Sequence, residues 1–117
     1  MSIYDNERFR TELKVHLAQF EVYLQQKLKP RTIHRHLCVI GTLIDFLCFG
    51  CNVSNFQEIH RSIVCSRFRR WYCSKIGDFT ESEVNTSVKK FFDFLVCEQK
   101  IAIGKDVLTG LNIKSGS

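Results

Sequence analysis

Pro30-Arg-Thr-Ile-His-Arg-His-Leu-Cys-Val-Ile-Gly-Thr-Leu-Ile-Asp-Phe-Leu47 decides the fold class. At 100° per residue, Ile33, Leu37, Ile40, Ile44 and Leu47 fall within about 80° of one another, the stripe of an amphipathic helix. The opposite side carries Arg31, Arg35, Cys38 and Thr42, with His34 and Gly41 on its flank. Pro30 suits the first helical position, where its missing N–H is not needed, so the helix starts at Pro30 or Arg31. Cys48-Phe-Gly50-Cys-Asn52 ends it, with Gly50 or Asn52 available for a left-handed cap.

Three more segments share the period. Phe9, Leu13, Leu17, Phe20 and Leu24 recur at three or four, giving a helix from about Asp5 to Leu28 that Asp5 or Asn6 can cap and that Lys29-Pro30 stops. Ser54 or Asn55 opens a short turn around Phe56–Ile59, and a helix follows from Arg61 to Ser74. Val64, Phe68 and Trp71 face inward there, Tyr72 lies beside them, and Arg69 and Arg70 point away. Thr80-Glu-Ser-Glu83 is a capping box opening a fourth helix to about Lys100. Its apolar side is Val84, Val88, Phe91 and Leu95, and Ser82, Thr86, Lys89 and Asp93 lie opposite, beside Lys90. The four helices fall near 6–28, 31–48, 61–74 and 81–99. Apolar residues from Ile101 to Leu111 suit a short docking turn or a fifth helix, and Lys114–Ser117 should fray. With one Pro and six Gly, turn signals are too few for an all-β chain. The expectation is a single all-α domain over residues 1–112 with a flexible tail at 113–117.

Apolar residues make up 44% of the chain and charged residues 25%, which excludes general disorder. No apolar run reaches the ~18–20 residues of a membrane span and no apolar signal region opens the chain, so a cytoplasmic protein is expected. The net charge is +5, and it is segregated. Val22–Ile44 holds Lys27, Lys29, Arg31 and Arg35 and no acid; Ile59–Gly77 holds Arg61, Arg67, Arg69, Arg70 and Lys75 and no acid. The remainder sums to −4. Segregated cations point to an anionic partner. Arg67-Phe-Arg-Arg-Trp-Tyr72 interleaves cations with rings, as nucleic-acid surfaces do, although an amphipathic helix also accounts for Phe68 and Trp71.

No nucleophile elbow, phosphate loop or dinucleotide fingerprint occurs, so neither an enzyme nor a cofactor is expected. Cys48-Phe-Gly-Cys51 sits at the C-terminal end of a helix, the wrong end for a thiolate-stabilising dipole, and lacks a second ligand pair for zinc. His34 and His36 diverge by about 200° on a helix and cannot share a metal. The six cysteines, Cys38, Cys48, Cys51, Cys65, Cys73 and Cys97, are expected to be reduced thiols with no metal.

Leu28-Lys-Pro-Arg-Thr-Ile33, Leu43-Ile-Asp-Phe-Leu47, Phe56-Gln-Glu-Ile59 and Val84-Asn-Thr-Ser-Val-Lys-Lys-Phe-Phe-Asp-Phe-Leu95 occur in an order that resembles the N-terminal SAM-like, core-binding domain of tyrosine recombinases and phage integrases. The resemblance covers about residues 9–100. It implies a compact four-helix fold that clamps one side of duplex DNA, with Lys29, Arg31, Thr32, Arg35, Thr42, Thr86, Lys89 and Lys90 facing the nucleic acid. Arg69 and Arg70 join these as DNA-binding candidates from the basic–aromatic run. A recombinase catalytic domain, in cis or in trans, is a further partner the resemblance implies. No His-x-x-Arg occurs in the chain, so strand cleavage is not expected of it. Glu81 and Glu83 at the start of the fourth helix are expected to repel phosphate there. A helical protein–protein module without DNA binding is the alternative.

Overall fold

The computed structural model describes residues 3–113. Among them there is no strand, and the fold is all-α: α1 (Ile3–Gln25), α2 (Pro30–Asp45), α3 (Phe68–Lys75), α4 (Glu81–Cys97) and α5 (Lys105–Gly110). The chain divides into two compact units, Met1–Asn55 and Phe56–Ser117.

In the first unit α1 and α2 form an antiparallel hairpin, since the start of α1 meets the end of α2. Asn6 Nδ2 donates to Cys48 O at 3.0 Å, and Arg10 Nε lies 2.7 Å from an Asp45 carboxylate oxygen. The turn between the helices is short. Lys27 and Leu28 N–H both bond Leu24 O, and Lys29 is extended (ψ 151°), as a residue before proline must be. Pro30 then enters at the first helical turn. Phe9, Leu13, Phe20 and Leu24 of α1 are buried, as are Ile33, Val39, Ile40, Leu43 and Ile44 of α2. Burying side chains of this size contributes about 1.5–3 kcal/mol each.

Three details of this unit depart from the sequence expectation. Asn6 is no helix cap: α1 begins at Ile3, and Asn6 sits inside it, buried. It meets a carbonyl at the end of α2's helical run, where carbonyls lose their intrahelical donors. His36, which is not part of the apolar stripe read from the sequence, is fully buried. Finally, the helix expected to run to about residue 48 is regular only to Asp45, after which it widens into a π turn, Phe46–Gly50, closed by Cys51 N–H on Phe46 O. Asn52 (φ 55°) then makes the left-handed exit, and Gly50 does not. The π turn lengthens the helical run to Pro30–Gly50. By length and composition alone its 21 residues could cross a membrane, which corrects the expectation that no such stretch exists.

In the second unit a single turn of 3-10 helix, Phe56–Glu58, replaces the expected short turn. Residues 61–75 are helical as expected, but Ile63–Arg67 form a second π turn before α3. Within α3 the buried position passes from Phe68 to Tyr72, a step of four that advances about 40° around the helix. The stripe therefore drifts onto Tyr72, which is 2% exposed, and leaves Trp71 at 36%. Placing Trp71 inward was wrong for this reason. Phe68 packs edge-on against Tyr72, and Tyr72 stacks on Phe79.

Gly77 (φ 74°) turns the chain toward α4. The capping box is present in both directions: Thr80 Oγ1 accepts from Glu83 N–H at 3.2 Å, and Glu83 Oε1 accepts from Thr80 N–H at 3.0 Å. Val84, Val88, Phe91, Phe92, Phe94 and Leu95 of α4 are buried. Lys100 (φ 57°) ends the run, with Ile101 N–H returning to Leu95 O. The expected fifth element is α5. It docks on the 61–67 segment, where Arg61 N–H donates to Asp106 Oδ2 at 3.1 Å and Gly110 lies tight against Cys65 and Arg61. Val107, Leu108, Leu111 and Ile113 are buried, so Ile113, which the sequence expectation gave to the tail, packs with the core. The fraying expected for Lys114–Ser117 lies outside the described residues.

Candidate nucleic-acid interface

The first unit holds five of the ten candidate residues, all on or beside α2. Lys29 precedes its first turn and is exposed; Arg31 is exposed one turn before the half-buried Arg35. Thr32 is half-buried. Thr42 is half-buried too, and its hydroxyl donates to Cys38 O at 2.9 Å, so its hydrogen is already used within the helix. Arg31, Arg35, Cys38 and Thr42 follow one another at steps of three or four and share a side of α2. Between Val22 and Ile44 no carboxylate interrupts this face. Asp45, at its far end, is held by Arg10, a partly exposed pair worth at most about 1 kcal/mol. The Arg10 guanidinium also lies 5.6 Å from the Phe49 ring.

The second unit holds the other five. Arg70, Thr86, Lys89 and Lys90 are exposed. Thr86 donates its hydroxyl to Ser82 O at 2.9 Å. Arg69 differs from the expectation. It is half-buried, and its Nε lies 3.0 Å from Glu81 Oε1, so a carboxylate already holds it. The same pair changes the reading of the start of α4. Glu81 is matched by the Arg69 cation, whereas Glu83 is held only by the neutral Thr80 and keeps its negative charge at the start of α4.

Beyond these ten, the structure adds Arg67, Trp71 and Lys75. All three are exposed, and steps of three and four set them on one side of α3 with Arg70. The run of cations and rings was visible in the sequence. Trp71 is among the exposed members because Tyr72, not Trp71, takes the buried position after Phe68.

One contact bears on metal and thiol chemistry: His34 Nε2 lies 3.4 Å from Cys38 Sγ, a pairing one turn apart on α2 that the sequence analysis did not single out. Cys48 is buried and Cys51 half-buried, and burial pushes the Cys48 thiol up to about 11. Among the described residues no group of three or more His, Cys, Asp or Glu side chains gathers to hold a metal ion.

Compared with known proteins, the chain matches no family model, no curated protein and no solved structure.

Proposed function

We propose that this chain is a helical DNA-binding module that grips duplex DNA by its phosphates through the outward face of α2, with no strand chemistry of its own. The observation that carries the reading is the face itself. Arg31 and the half-buried Arg35 stand one turn apart on one side of α2, the exposed Lys29 precedes its first turn, and no carboxylate occurs between Val22 and Ile44. Cations one helical turn apart can reach neighbouring phosphates of one strand, which positions a protein without reading its bases. Lys89 and Lys90 on α4, and Arg67 and Arg70 at α3, are further exposed cations available to phosphate. The core-binding resemblance of the sequence supports the same ligand, and a recombinase catalytic domain in cis or in trans is the partner that goes with it. In this reading Pro30–Gly50 is the core helix of a cytoplasmic protein, not a membrane span, because Ile33, Ile40, Leu43, Ile44 and Leu47 are buried within the protein.

The test is a titration with duplex DNA at two salt concentrations. If about five phosphates are neutralised, the log–log salt slope is about −4.5, and a fourfold rise in salt weakens binding roughly 500-fold. Affinity for random duplex is about 10⁻⁴ to 10⁻⁶ M. Replacing Arg31 and Arg35 together by Ala flattens the slope by about two with the helical spectrum unchanged. Unaltered binding by the double variant, or no binding by the parent at low salt, sinks the proposal.

One observation favours the alternative of a protein partner. Val15 and Val22, two turns apart on α1, are 53% and 57% exposed, an apolar stripe of the kind a partner helix covers. A stable dimer with no DNA affinity is the result that reading expects.

A further inference from the structure

The His34–Cys38 contact has the dimensions of a chelate. Zinc binds imidazole nitrogen at about 2.0 Å and thiolate sulfur at about 2.3 Å, and at the tetrahedral angle those two donors stand about 3.5 Å apart. His34 Nε2 and Cys38 Sγ are 3.4 Å apart. Their backbone positions are one turn apart within α2, so the helix sets the separation and no segment has to close around an ion. His34 is exposed and Cys38 half-buried, which leaves the pair open to a solute.

Without an ion the pair is joined by a hydrogen bond, and two other thiols make hydrogen bonds to oxygen rather than nitrogen. Cys73 Sγ donates to Phe79 O, and Cys97 Sγ to Asp93 Oδ1. Burial raises the pKa of Cys48, Cys65 and Cys73, and the hydrogen bond to Asp93 raises that of Cys97. These four hold their protons more tightly, so a metal has to compete harder to displace them.

We propose that His34 Nε2 and Cys38 Sγ form a two-donor site for a thiophilic divalent transition ion, Zn²⁺ by its ligand preference. Binding forms the N–metal and S–metal bonds, releases the Cys38 thiol proton to solvent, and leaves the imidazole proton on Nδ1. Arg31 and Arg35 on the same side of the helix disfavour a bare dication. The ion enters with a thiolate, so the pair adds one net positive charge, and hard cations such as Mg²⁺ or Ca²⁺, which want oxygen donors, find none here. The remaining coordination positions go to water or to the same pair of a second copy. The inference stands on the geometry of α2 alone and does not depend on DNA binding.

The experiment uses the full reduced chain, stripped of metal, titrated with Co²⁺ and then displaced by Zn²⁺, with thiolate-to-cobalt charge-transfer absorption as the readout. A thiolate band is expected in the parent and in Cys97→Ser. Losing even an outer partner of a ligand costs about 10–100-fold in metal affinity, so Cys38→Ser and His34→Ala should each weaken binding by at least that much. Circular dichroism of both variants keeps a folding defect from being mistaken for a lost ligand. One ion per chain, with water completing the shell, or one per two chains, in a closed His2Cys2 set, both sustain the site. No thiolate band in the parent, equal affinity in Cys38→Ser or His34→Ala, or loss of the band in Cys97→Ser overturns it.

Discussion

Replacing Asn6 separates two accounts of the start of α1. Asn6 is 7% exposed and its Nδ2 donates to Cys48 O at 3.0 Å, joining the first turns of α1 to the π turn beyond α2. Its second contact, to Asn52 Oδ1 at 3.3 Å, is longer and only partly buried. Truncation to Ala orphans the buried Cys48 carbonyl, for which the usual range is about 1–3 kcal/mol. Asn6 Oδ1, however, is itself buried with no hydrogen-bond partner among the described residues. Ala removes that unsatisfied acceptor too, which holds the loss to about 1–2 kcal/mol. At roughly 4 °C per kcal/mol for a chain of this size, Tm falls by about 4–8 °C. Asp is the discriminating substitution. It cannot donate, and it turns a carboxylate toward the Cys48 carbonyl, so at neutral pH Asn6→Asp should be less stable than Asn6→Ala. If residue 6 capped α1 instead, Asp would serve as well as Asn and would gain from the helix dipole. Thermal melts of the three chains by circular dichroism decide it. An Asn6→Asp chain as stable as the parent, or more so, refutes the donor role.

Two further outcomes follow from packing and titration. A methyl group on Gly110 would sit 2.7 Å from Cys65 Sγ and 2.9 Å from Arg61 Cγ, so Gly110→Ala should cost about 1–3 kcal/mol of overpacking, and Cys65→Ala in that background should recover part of the loss in a urea melt. The Cys48 thiol, raised by burial from 9.0 to about 11, keeps its proton in the folded state after the unfolded chain has lost it. Its contribution to stability is complete below pH 9 and drains away as pH rises to about 11. The stability of Cys48→Ala should therefore decline less steeply across that interval.

Helix identity was legible wherever one short-range rule governed it. The capping box at Thr80 and Glu83, the Pro30 start of α2 and the apolar stripes of α2 and α4 are local, and local sequence encodes them. Asn6 was read as a cap because Asn before an apolar period usually is one. Its actual role depends on Cys48, forty-two residues away, which no local pattern reports. His36 is buried because α2 is covered over a wider arc than its apolar stripe, taking in Val39 and Cys48 as well. Among the candidate residues, Lys29, Arg31, Arg70, Lys89 and Lys90 are exposed as their charge and wheel positions suggested. Arg69 is not, since its partner Glu81 belongs to another helix.

The two π turns have a consequence for chain length. A turn closed from residue i to i+5 contains one residue more than an α turn; Ile63–Arg67 carries that surplus residue within a helical run and Phe46–Gly50 carries it at the end of one. Phe46–Gly50 and Ile63–Arg67 are therefore the points at which losing a residue would restore regular α geometry. The same loss inside α2 or α4 would rotate every later side chain of that helix by about 100° and turn its buried stripe out of the core. Along this chain, insensitivity to a change of length sits in helical runs, at two specific turns, and not only in the connections between them.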